Sequence, residues 1–399
     1  MQAIKDCSTM RCVPLPGAEA MKIVLWGTYD VGKPRIRILR EGLRAQGVVI
    51  TEIHKDVWGD IEDKSAMRGA RAWLRRGMRL LKAYPRLVWG YLRAPAHDLV
   101  LVSYPGQLDV LILRPFAWIR RKRIALDWFI SAFDTVVEDR RLLGHGNPLA
   151  WMLWTGEWLA SHAANLVFMD TATHARRMES LFRLAPDSVG CVWVGAEESF
   201  FRANLHRAPG ECLQVLFYGQ FIPLHGIDTI IEAARLLRDA PIRWTLVGRG
   251  QEEPRIRALL AENPVPALHW EEWIPYEQLG EWINRADVCL GIFGTSYKAA
   301  SVIPNKVFQI VASCQPLVTR DSPAIRELLA DDPPCVHLVT PGDAEALAGA
   351  IRNCMKFVQT PPPACHLALR GQIDCAAVAE QFLAMVTRYF PETGRTNDR

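Results

Sequence analysis

The segment VCLGIFGTSYKAASVIPNKVFQIVASCQPLVT, residues 288–319, decides the expected fold. It opens with an apolar run, residues 288–292, that predicts a buried strand. After a loop, Pro304 stands just before an apolar series of helical spacing, so it is predicted to be the first residue of a helix. Such a helix would aim its free N–H groups, together with Lys306, at one place that suits a phosphate. The alternative is an ordinary strand-loop-helix unit with a surface lysine.

The composition is that of a globular protein with more than one core. The chain has 399 residues, of which 50% are hydrophobic and 23% are charged, so two domains are expected. The net charge of +4 is small for this length and argues against a dedicated nucleic-acid-binding protein. The ten cysteines are scattered without a CxxC pair or a Cys/His cluster. This pattern favours a reduced, cytosolic protein and predicts no metal site.

The two ends of the chain are expected to lie outside the domain cores. Residues 1–20 hold no apolar stretch long enough for a signal peptide, so they are predicted to be a disordered leader, or Met21 is the true start. No stretch has the length and purity of a membrane-spanning helix; residues 110–119 come nearest, and Arg114 interrupts them. Residues 373–399 are expected to form a helix that packs back on the first domain, followed by a tail.

The first half begins with a strand, a glycine-containing loop and a helix. Residues 22–26 are apolar, Gly27 and Gly32 follow, and residues 36–43 have helical periodicity. This order is typical of the start of a Rossmann-like domain. Because the spacing GxGxxG is absent, the alternative is that the glycines serve only the turn.

Residues 64–93 contain nine Lys or Arg and no acidic residue. The cations recur at steps of three, four or seven, while apolar residues from Trp73 to Tyr91 keep the same rhythm on the opposite side. This predicts an amphipathic helix that is broken near Pro85. Such a helix suits an anionic membrane surface, with Arg75, Arg79 and Lys82 as contact residues. The alternative is a solvated basic face on a helix packed against the sheet.

Two aspartates lie at or beyond the end of the predicted strand at residues 123–127. Asp127 ends that strand, and Asp134 lies seven residues later. Since ligands of open parallel sheets bind at the carboxyl ends of the strands, one of these carboxylates is predicted to act as a base or to orient an acceptor hydroxyl. The alternative is a structural role as a helix cap.

The second half repeats the alternation of strand and helix. The polar residues 202–211, which include Pro209 and Gly210, predict the linker between the domains. Strands at residues 213–218, 243–247 and 288–292 are separated by helical patterns, so a parallel sheet with right-handed crossovers is expected. The predicted fold class is α/β, with Rossmann-like domains at residues 21–204 and 205–372 that face a central cleft.

The chain resembles glycosyltransferase family 4, within the group 1 glycosyltransferases, from residue 22 to residue 351. The resemblance rests mainly on GQFIPLHG at residues 219–226, LVGRG at residues 246–250 and PNK at residues 304–306. It implies the GT-B fold, a nucleotide-sugar site in the second domain and an acceptor site in the first. The implied donor-binding residues are Gly219, Gln220, His225, Gly226, Gly248, Arg249, Gly250, Asn305, Lys306 and Gln309. The implied acceptor-side residues are Gly27, Gly32, Asp127 and Asp134.

The sequence departs from the family pattern at several of these positions. Gln220 and His225 stand where basic residues often occur, so one fixed cation is lost and the other is titratable. The family commonly has two glutamates eight residues apart, and Ser301 and Gln309 occupy those positions here. An amide still accepts a hydrogen bond from a ribose hydroxyl, but no carboxylate remains. The usual retaining stereochemistry is therefore open, and so is the alternative of a non-catalytic homologue that serves as a partner subunit.

The resemblance and the basic segment together predict a hexosyltransferase, retaining by family pattern. It would move a sugar from a nucleotide-diphosphate donor to a lipid-linked or polysaccharide acceptor, with Lys306 and Asp127 as catalytic residues. Lys306, the adjacent helix N-terminus and Arg249 would supply positive potential for the diphosphate. The donor nucleotide sugar is the only small molecule expected, without a further cofactor, a metal or a nucleic acid. The expected location is the inner face of the cell membrane, reached from the cytoplasm. A different Rossmann enzyme, such as a sugar-nucleotide epimerase, is the third hypothesis.

Overall fold

A computed structural model describes residues 20–58, 70–203, 210–329, 335–360 and 365–391. The side chains of residues 70–73 are not among those described. Most of the predicted leader, much of the predicted linker and the start of the basic segment lie outside these ranges. Within them the chain forms two parallel sheets of six strands each, covered by helices on both faces.

The first sheet has the strand order β2-β1-β3-β4-β5-β6, with every pair parallel. Its central strands read as continuous apolar runs because helices cover both of their faces. The strands are β1 (Lys22–Gly27), β2 (Val49–His54), β3 (Leu99–Val102), β4 (Arg123–Asp127), β5 (Leu166–Met169) and β6 (Val189–Cys191).

Two layers of helices enclose this sheet. One face packs against α1 (Pro34–Ala45), and the other packs against α2 (Ala70–Leu92), α3 (Gln107–Ile119), α4 (Pro148–Ala163) and α5 (Ala172–Phe182). A short π-helix, Asp134–Asp139, follows β4. Such π-helical segments are rare and occur often at functional sites.

The second sheet repeats this plan with the order β12-β11-β10-β7-β8-β9, again with every pair parallel. Its strands are β7 (Leu213–Tyr218), β8 (Ile242–Val247), β9 (Leu268–Glu271), β10 (Val288–Leu290), β11 (Leu317–Arg320) and β12 (Val336–Val339). Its helices are α6 (Ile227–Leu236), α7 (Glu253–Glu262), α8 (Leu279–Arg285), α9 (Tyr297–Ser301), α10 (Asn305–Ala312), α11 (Ile325–Leu328) and α12 (Ala344–Cys354).

The last two helices, α13 (Leu367–Ile373) and α14 (Cys375–Tyr389), return to the first domain. The approach of α14 to α1 is so close that a Cβ on Gly42 would lie 1.7 Å from the carbonyl oxygen of Cys375. Phe382 of α14 also packs edge-on against Phe168 of β5, with 5.5 Å between ring centroids. The C-terminal segment therefore ties the second domain to the first.

Local structure differs from the sequence-based predictions at three places. Helix α2 runs unbroken through Pro85, because this residue lies on the exposed side and water can reach the carbonyl group that its ring leaves unpaired. Pro304 is extended, with ψ of 145°, and precedes α10 as its N-cap instead of being its first residue. The strand predicted at residues 288–292 is shorter, since β10 ends at Leu290.

Candidate functional site

Three residues from different elements of the second domain meet where β7 and β8 end. Gly219 follows β7 with φ of +141°, and Gly248 follows β8 with φ of +145°. A Cβ on Gly248 would lie 1.9 Å from the carbonyl oxygen of Gly219, and a Cβ on Gly219 would lie 2.9 Å from Nζ of Lys306. Both positions require glycine because their φ is positive, and at Gly248 the backbone of Gly219 also leaves no space for a side chain. The two loops thereby bring backbone against the lysine amine.

Lys306 is the second residue of α10, and its amine is buried without a hydrogen-bond partner. Its Nζ lies 3.7 Å from the ring centroid of Phe217, and only 5% of the residue is exposed. Burial lowers the pKa of Lys306 well below its usual value. A bound anion would supply both the opposite charge and the missing acceptors, and Lys306 lies in the first turn of α10, where the helix dipole favours negative charge.

His225 lies in the same cluster and is expected to be neutral. Its Nδ1 is hydrogen-bonded to the carbonyl oxygen of Gln220 and therefore carries the proton. Burial, with Lys306 as the second cause, holds the pKa of His225 well below its usual value. The prediction of a titratable cation at this position is not supported, because a second positive charge beside Lys306 is disfavoured.

Two other candidate glycines of the second domain, Gly226 and Gly250, serve close packing of the loops. A Cβ on Gly226 would lie 2.7 Å from the backbone nitrogen of Gly294, and one on Gly250 would lie 2.7 Å from the carbonyl oxygen of Phe221. Arg249 is exposed, and its carbonyl oxygen accepts a hydrogen bond from Phe221. These contacts fix the loop at residues 219–226 against the loop that follows β8.

Gln309 belongs to a buried chain of hydrogen bonds. Its Oε1 accepts from the hydroxyl of Tyr218 at 3.0 Å, and its amide nitrogen lies 3.5 Å from the hydroxyl of Tyr276. Tyr276 donates in turn to Glu197 at 2.6 Å, and Glu197 is held by Arg37 of α1 in a two-pronged ion pair. Gln309 thus links the donor-side helix α10 to the first domain.

The residue at the other glutamate position, Ser301, is also occupied within the protein. Its hydroxyl donates to the carbonyl oxygen of Tyr297 at 2.8 Å. Its own carbonyl oxygen accepts a hydrogen bond from Thr171, the N-cap of α5 in the first domain. Neither Ser301 nor Gln309 provides a carboxylate to the site.

A cleft of about 220 Å³ lies between the two domains. Gln220 and Asn305 line it from the second domain, as do Lys298, Pro304 and apolar neighbours. From the first domain it is lined by Lys33, Tyr104, Phe129, Ile130, Thr135, Asp139, Arg140, Asp170 and His174. Several of these polar residues were not singled out from the sequence. Two features of the sequence could have indicated them: the polar residues directly after β5 and the DTVVEDR stretch that forms the π-helix.

Polar contacts hold the domains together around this cleft. Glu327 of α11 accepts hydrogen bonds from the backbone nitrogens of Ala172 and Thr173 at 2.9 and 2.7 Å, and so caps α5 from the other domain. Ser296 donates to Asp139 at 2.7 Å. Carboxylates at a helix N-terminus are favourable because they satisfy free N–H groups and oppose the helix dipole. Because these hydrogen bonds join the two domains directly, the domains are closed over the cleft in this structure.

The structure places the two candidate aspartates in ion pairs. Asp127 is 1% exposed, and both of its oxygens lie within 2.8 Å of Nε of Arg35. Burial raises the pKa of Asp127 although Arg35 opposes the shift. It does not line the cleft, so its ion pair with Arg35 favours a structural role, and its catalytic role stays a prediction.

Asp134 is fully buried behind the cleft. It pairs with Arg177, with 3.0 Å between Oδ1 and Nε, and with Lys298 at 3.6 Å. Burial alone would raise the pKa of Asp134, but Lys298 and Arg177 hold it below its usual value. Because Lys298 lines the cleft, Asp134 can act on a ligand through this lysine.

The glycine loop of the first domain is filled by a carboxylate from α3. Asp109 accepts hydrogen bonds from the backbone nitrogen of Thr28 at 2.6 Å and from the hydroxyl of Tyr84 at 2.9 Å. A Cβ on Gly27 would lie 2.2 Å from Oδ2 of Asp109. Burial raises the pKa of Asp109 to about 6. Gly27 therefore serves the packing of this turn, and Gly32 accompanies it with its N–H bonded to Asp30 at 2.9 Å.

Arg75, Arg79 and Lys82 all lie on the exposed side of α2. Every helix within the described ranges is too short or too polar to cross a bilayer.

Comparison with known proteins gives a family match for the second domain. Residues 213–356 match the family model described as glycosyl transferases group 1. Among curated proteins, D-inositol 3-phosphate glycosyltransferase of Thermomonospora curvata is 28% identical over 231 residues, which are 50% of this chain and 52% of that protein. The chain spans about half the length of the curated relatives it matches, or less.

Solved structures of similar architecture cover nearly the whole chain. Sucrose-phosphate synthase from Thermosynechococcus elongatus has a TM-score of 0.66 at 16% identity, covering 93% of this chain and 99% of its own. Anabaena Alr3699/HepE in complex with UDP has a TM-score of 0.61 at 13% identity, covering 93% and 100%. The chain has the GT-B fold, and residues 213–356 of its second domain match the model of the group 1 glycosyl transferases. The predicted fold class and the predicted resemblance to group 1 are confirmed.

Proposed function

We propose that the protein is a glycosyltransferase that takes a hexose from a nucleoside-diphosphate sugar. The observation that carries this proposal is the buried amine of Lys306, which lacks a partner and faces the glycine-only junction of Gly219 and Gly248. This junction lies in the domain that matches the group 1 model. A uridine nucleotide is the first donor to test, because HepE, of the same fold, was solved with UDP.

The proposed chemistry needs charge stabilisation at the leaving diphosphate. As the glycosidic bond breaks, negative charge grows on the oxygen that leaves the sugar carbon. The Lys306 amine and the N–H groups at the start of α10 would stabilise this charge in a site shielded from water. Gln220 and Asn305 line the adjacent cleft and are proposed to contact the donor, with Arg249 at the rim.

Closure of the domains is the second proposed element of the mechanism. The cleft volume of about 220 Å³ is below the range of about 300–1,000 Å³ for typical ligand pockets. A nucleotide sugar would therefore enter an opened form, and the contacts of Glu327 and Ser296 would re-form around it. Such closure excludes water and limits hydrolysis of the donor.

The first domain is proposed to bring the acceptor, a lipid-linked molecule or a glycan. Its cleft-facing residues Asp139, Arg140 and His174 are the proposed acceptor-side contacts in place of Asp127. Since Ser301 and Gln309 offer no carboxylate, we propose no protein nucleophile at those positions. On the basis of the family resemblance, we propose that the anomeric configuration of the sugar is retained. NMR of the product's anomeric proton tests this directly.

The proposed location is the inner face of the cell membrane, approached from the cytoplasm. The exposed cations Arg75, Arg79 and Lys82 on α2 support it, because each well-placed cation contributes about 1 kcal/mol at an anionic surface. A membrane-held acceptor would then meet the acceptor domain directly.

A binding screen followed by a transfer assay tests the proposal. Thermal unfolding is followed with UDP, GDP, ADP and dTDP, and the sugars of the nucleotide that binds are then offered with lipid-linked and oligosaccharide acceptors. At a hundred times its Kd, a true ligand adds about 2.7 kcal/mol to the free energy of unfolding. Stabilisation by one nucleoside diphosphate and transfer from its sugar are expected. If no nucleotide stabilises the protein, the proposal is wrong.

A further inference from the structure

Most of the exposed large apolar side chains in the described part of the chain lie on three neighbouring helices. The helices α2, α3 and α4 pack side by side on one face of the first sheet. Their solvent sides carry Leu74, Met78, Leu81, Trp89, Leu92, Leu108, Trp118, Ile119, Leu149, Trp151, Met152 and Leu159. Leu81 is 75% exposed, Trp118 73% and Trp151 66%. We call this surface the three-helix face. Apolar exposure on this scale marks an interaction site.

Helix α2 is apolar on both of its sides. Leu80, Tyr84 and Val88 pack toward the domain, as the sequence pattern predicts. The exposed residues Leu74, Met78, Leu81, Trp89 and Leu92 follow each other at steps of four, three, eight and three, and so form a second stripe. Cations border this stripe along the helix, namely Arg75, Arg79, Lys82 and Arg86. An apolar stripe edged with cations is typical of helices that lie in a membrane interface.

The apolar residues of α3 are continuous with those of α2. Arg120, directly after α3, donates to the carbonyl oxygens of Tyr91 at 2.5 Å and of Ala94 at 2.7 Å. These bonds hold Trp118 and Ile119 beside the end of α2. There the guanidinium of Arg93 lies 3.9 Å from the ring centroid of Trp89.

The charge of the three-helix face has one sign. The only carboxylates in the sequence of α2, α3 and α4 are Asp109 and Glu157, and both are buried. At the end of α3, Trp118 and Ile119 are followed by the basic run of residues 120–123. A second copy of this face would be repelled by it, whereas an anionic bilayer offers opposite charge and an apolar interior.

We propose that the three-helix face docks into the interface of an anionic lipid bilayer. Leu81, Trp118 and Trp151 insert below the headgroups, and the bordering cations bind the headgroup phosphates. This inference deepens the proposed function: docking would hold the acceptor domain at a membrane-bound acceptor. Only this purpose rests on the proposed function. Attachment depends mainly on apolar insertion, and the cations add a part that salt removes.

Flotation with lipid vesicles tests the proposal on the full-length chain. Vesicles of phosphatidylcholine, with and without phosphatidylglycerol, are used at low and high salt. The apolar variant combines Leu81→Ser, Trp118→Ser and Trp151→Ser. The matched control replaces three exposed apolar residues of the second half of the chain, Leu236→Ser, Trp273→Ser and Leu367→Ser. The charge variant combines Arg75→Gln, Arg79→Gln and Lys82→Gln.

The apolar variant should lose at least about 1,000-fold in partitioning at either salt concentration, because each of three large apolar side chains loses its burial, while the control floats like the wild type. The charge variant should lose roughly 100-fold on anionic vesicles at low salt, from about 1 kcal/mol per cation, and little at high salt. Equal flotation of the apolar variant and the wild type would overturn the proposal. The proposal would also be overturned if the wild type formed a homodimer in solution and only the apolar variant were monomeric.

Nucleotide binding by the same variants separates this inference from the proposed function. A folded apolar variant should bind nucleoside diphosphates as the wild type does, since none of its substitutions lies at the cleft. If vesicle binding follows the prediction but no nucleotide binds, the membrane inference stands and the proposed function is wrong.

Discussion

Replacing Lys306 by methionine should separate nucleotide binding from protein stability. Methionine is nearly as long as lysine and can keep the apolar contact with the Phe217 ring, but it removes the charge and the donor hydrogens. A hydrogen bond between two charged groups is worth roughly 1.5–3 kcal/mol when neither is screened by solvent. Lys306 is 5% exposed, so this range applies. Lys306→Met should therefore weaken binding of a nucleoside diphosphate by roughly 10- to 150-fold.

The ligand-free variant should be at least as stable as the wild type. In the wild-type protein, the buried amine has lost its hydration without gaining a hydrogen bond, and methionine removes this cost. Isothermal titration gives the affinity, and denaturant unfolding gives the stability. Lys356→Met is the matched control, because that lysine also lies near a phenylalanine ring but is exposed. Unchanged affinity in Lys306→Met would refute the reasoning.

The pH dependence gives an independent test of the same residue. Burial lowers the pKa of Lys306 in the folded, ligand-free protein, so its destabilising effect is full below that pKa and vanishes above the unfolded value. Relative to Lys306→Met, the wild type should gain stability as pH rises toward about 10. Binding of the diphosphate raises the pKa again. Above the phosphate pKa of about 6, the affinity of the wild type should therefore fall with rising pH, while that of the variant stays flat.

Three further predictions concern other residues. Gly248→Ala should destabilise the protein by about 2–4 kcal/mol in denaturant unfolding, since its Cβ would lie 1.9 Å from a carbonyl oxygen. The control Gly349→Ala, in α12 with open space around it, should be neutral or stabilising by up to about 1 kcal/mol, and equal effects of the two substitutions would contradict the packing argument. Glu327→Gln should weaken the cap on α5 by about 1 kcal/mol and favour a more open form in small-angle scattering, whereas Glu345→Gln, in the first turn of α12, should not change the scattering. Burial raises the pKa of Asp109 from 3.8 to about 6, so its contribution to stability is full below pH 4 and falls by about 3 kcal/mol as pH rises through about 6. Asp109→Asn should lack this decline, and parallel pH profiles of the two proteins would contradict the raised pKa.

The sheets and the donor-side glycines could be predicted because their causes are local in the sequence. Strands buried on both faces appear as apolar runs, and Gly219 and Gly248 each follow such a run directly. Lys306 was identifiable from its place after Pro304 at the start of a helix. Its burial against Phe217 was not, because that contact depends on how β7 and α10 pack.

The acceptor side was predicted less well because its interactions cross long stretches of sequence. Asp127 ends its strand as expected, but its partner Arg35 lies 92 residues earlier, and no local pattern indicates that pair. Glu327 caps α5 from another domain. The exposed stripe of α2 was missed for another reason: both sides of this helix are apolar, and periodicity alone does not tell which side faces the core.

A crystal structure of the protein with UDP, or with the nucleoside diphosphate that binds best, tests the central claim most directly. Diphosphate oxygens are expected within hydrogen-bonding distance of Nζ of Lys306 and of the first backbone N–H groups of α10, against the glycine junction. A diphosphate bound elsewhere, with the Lys306 amine still buried against Phe217 and unpaired, would contradict it.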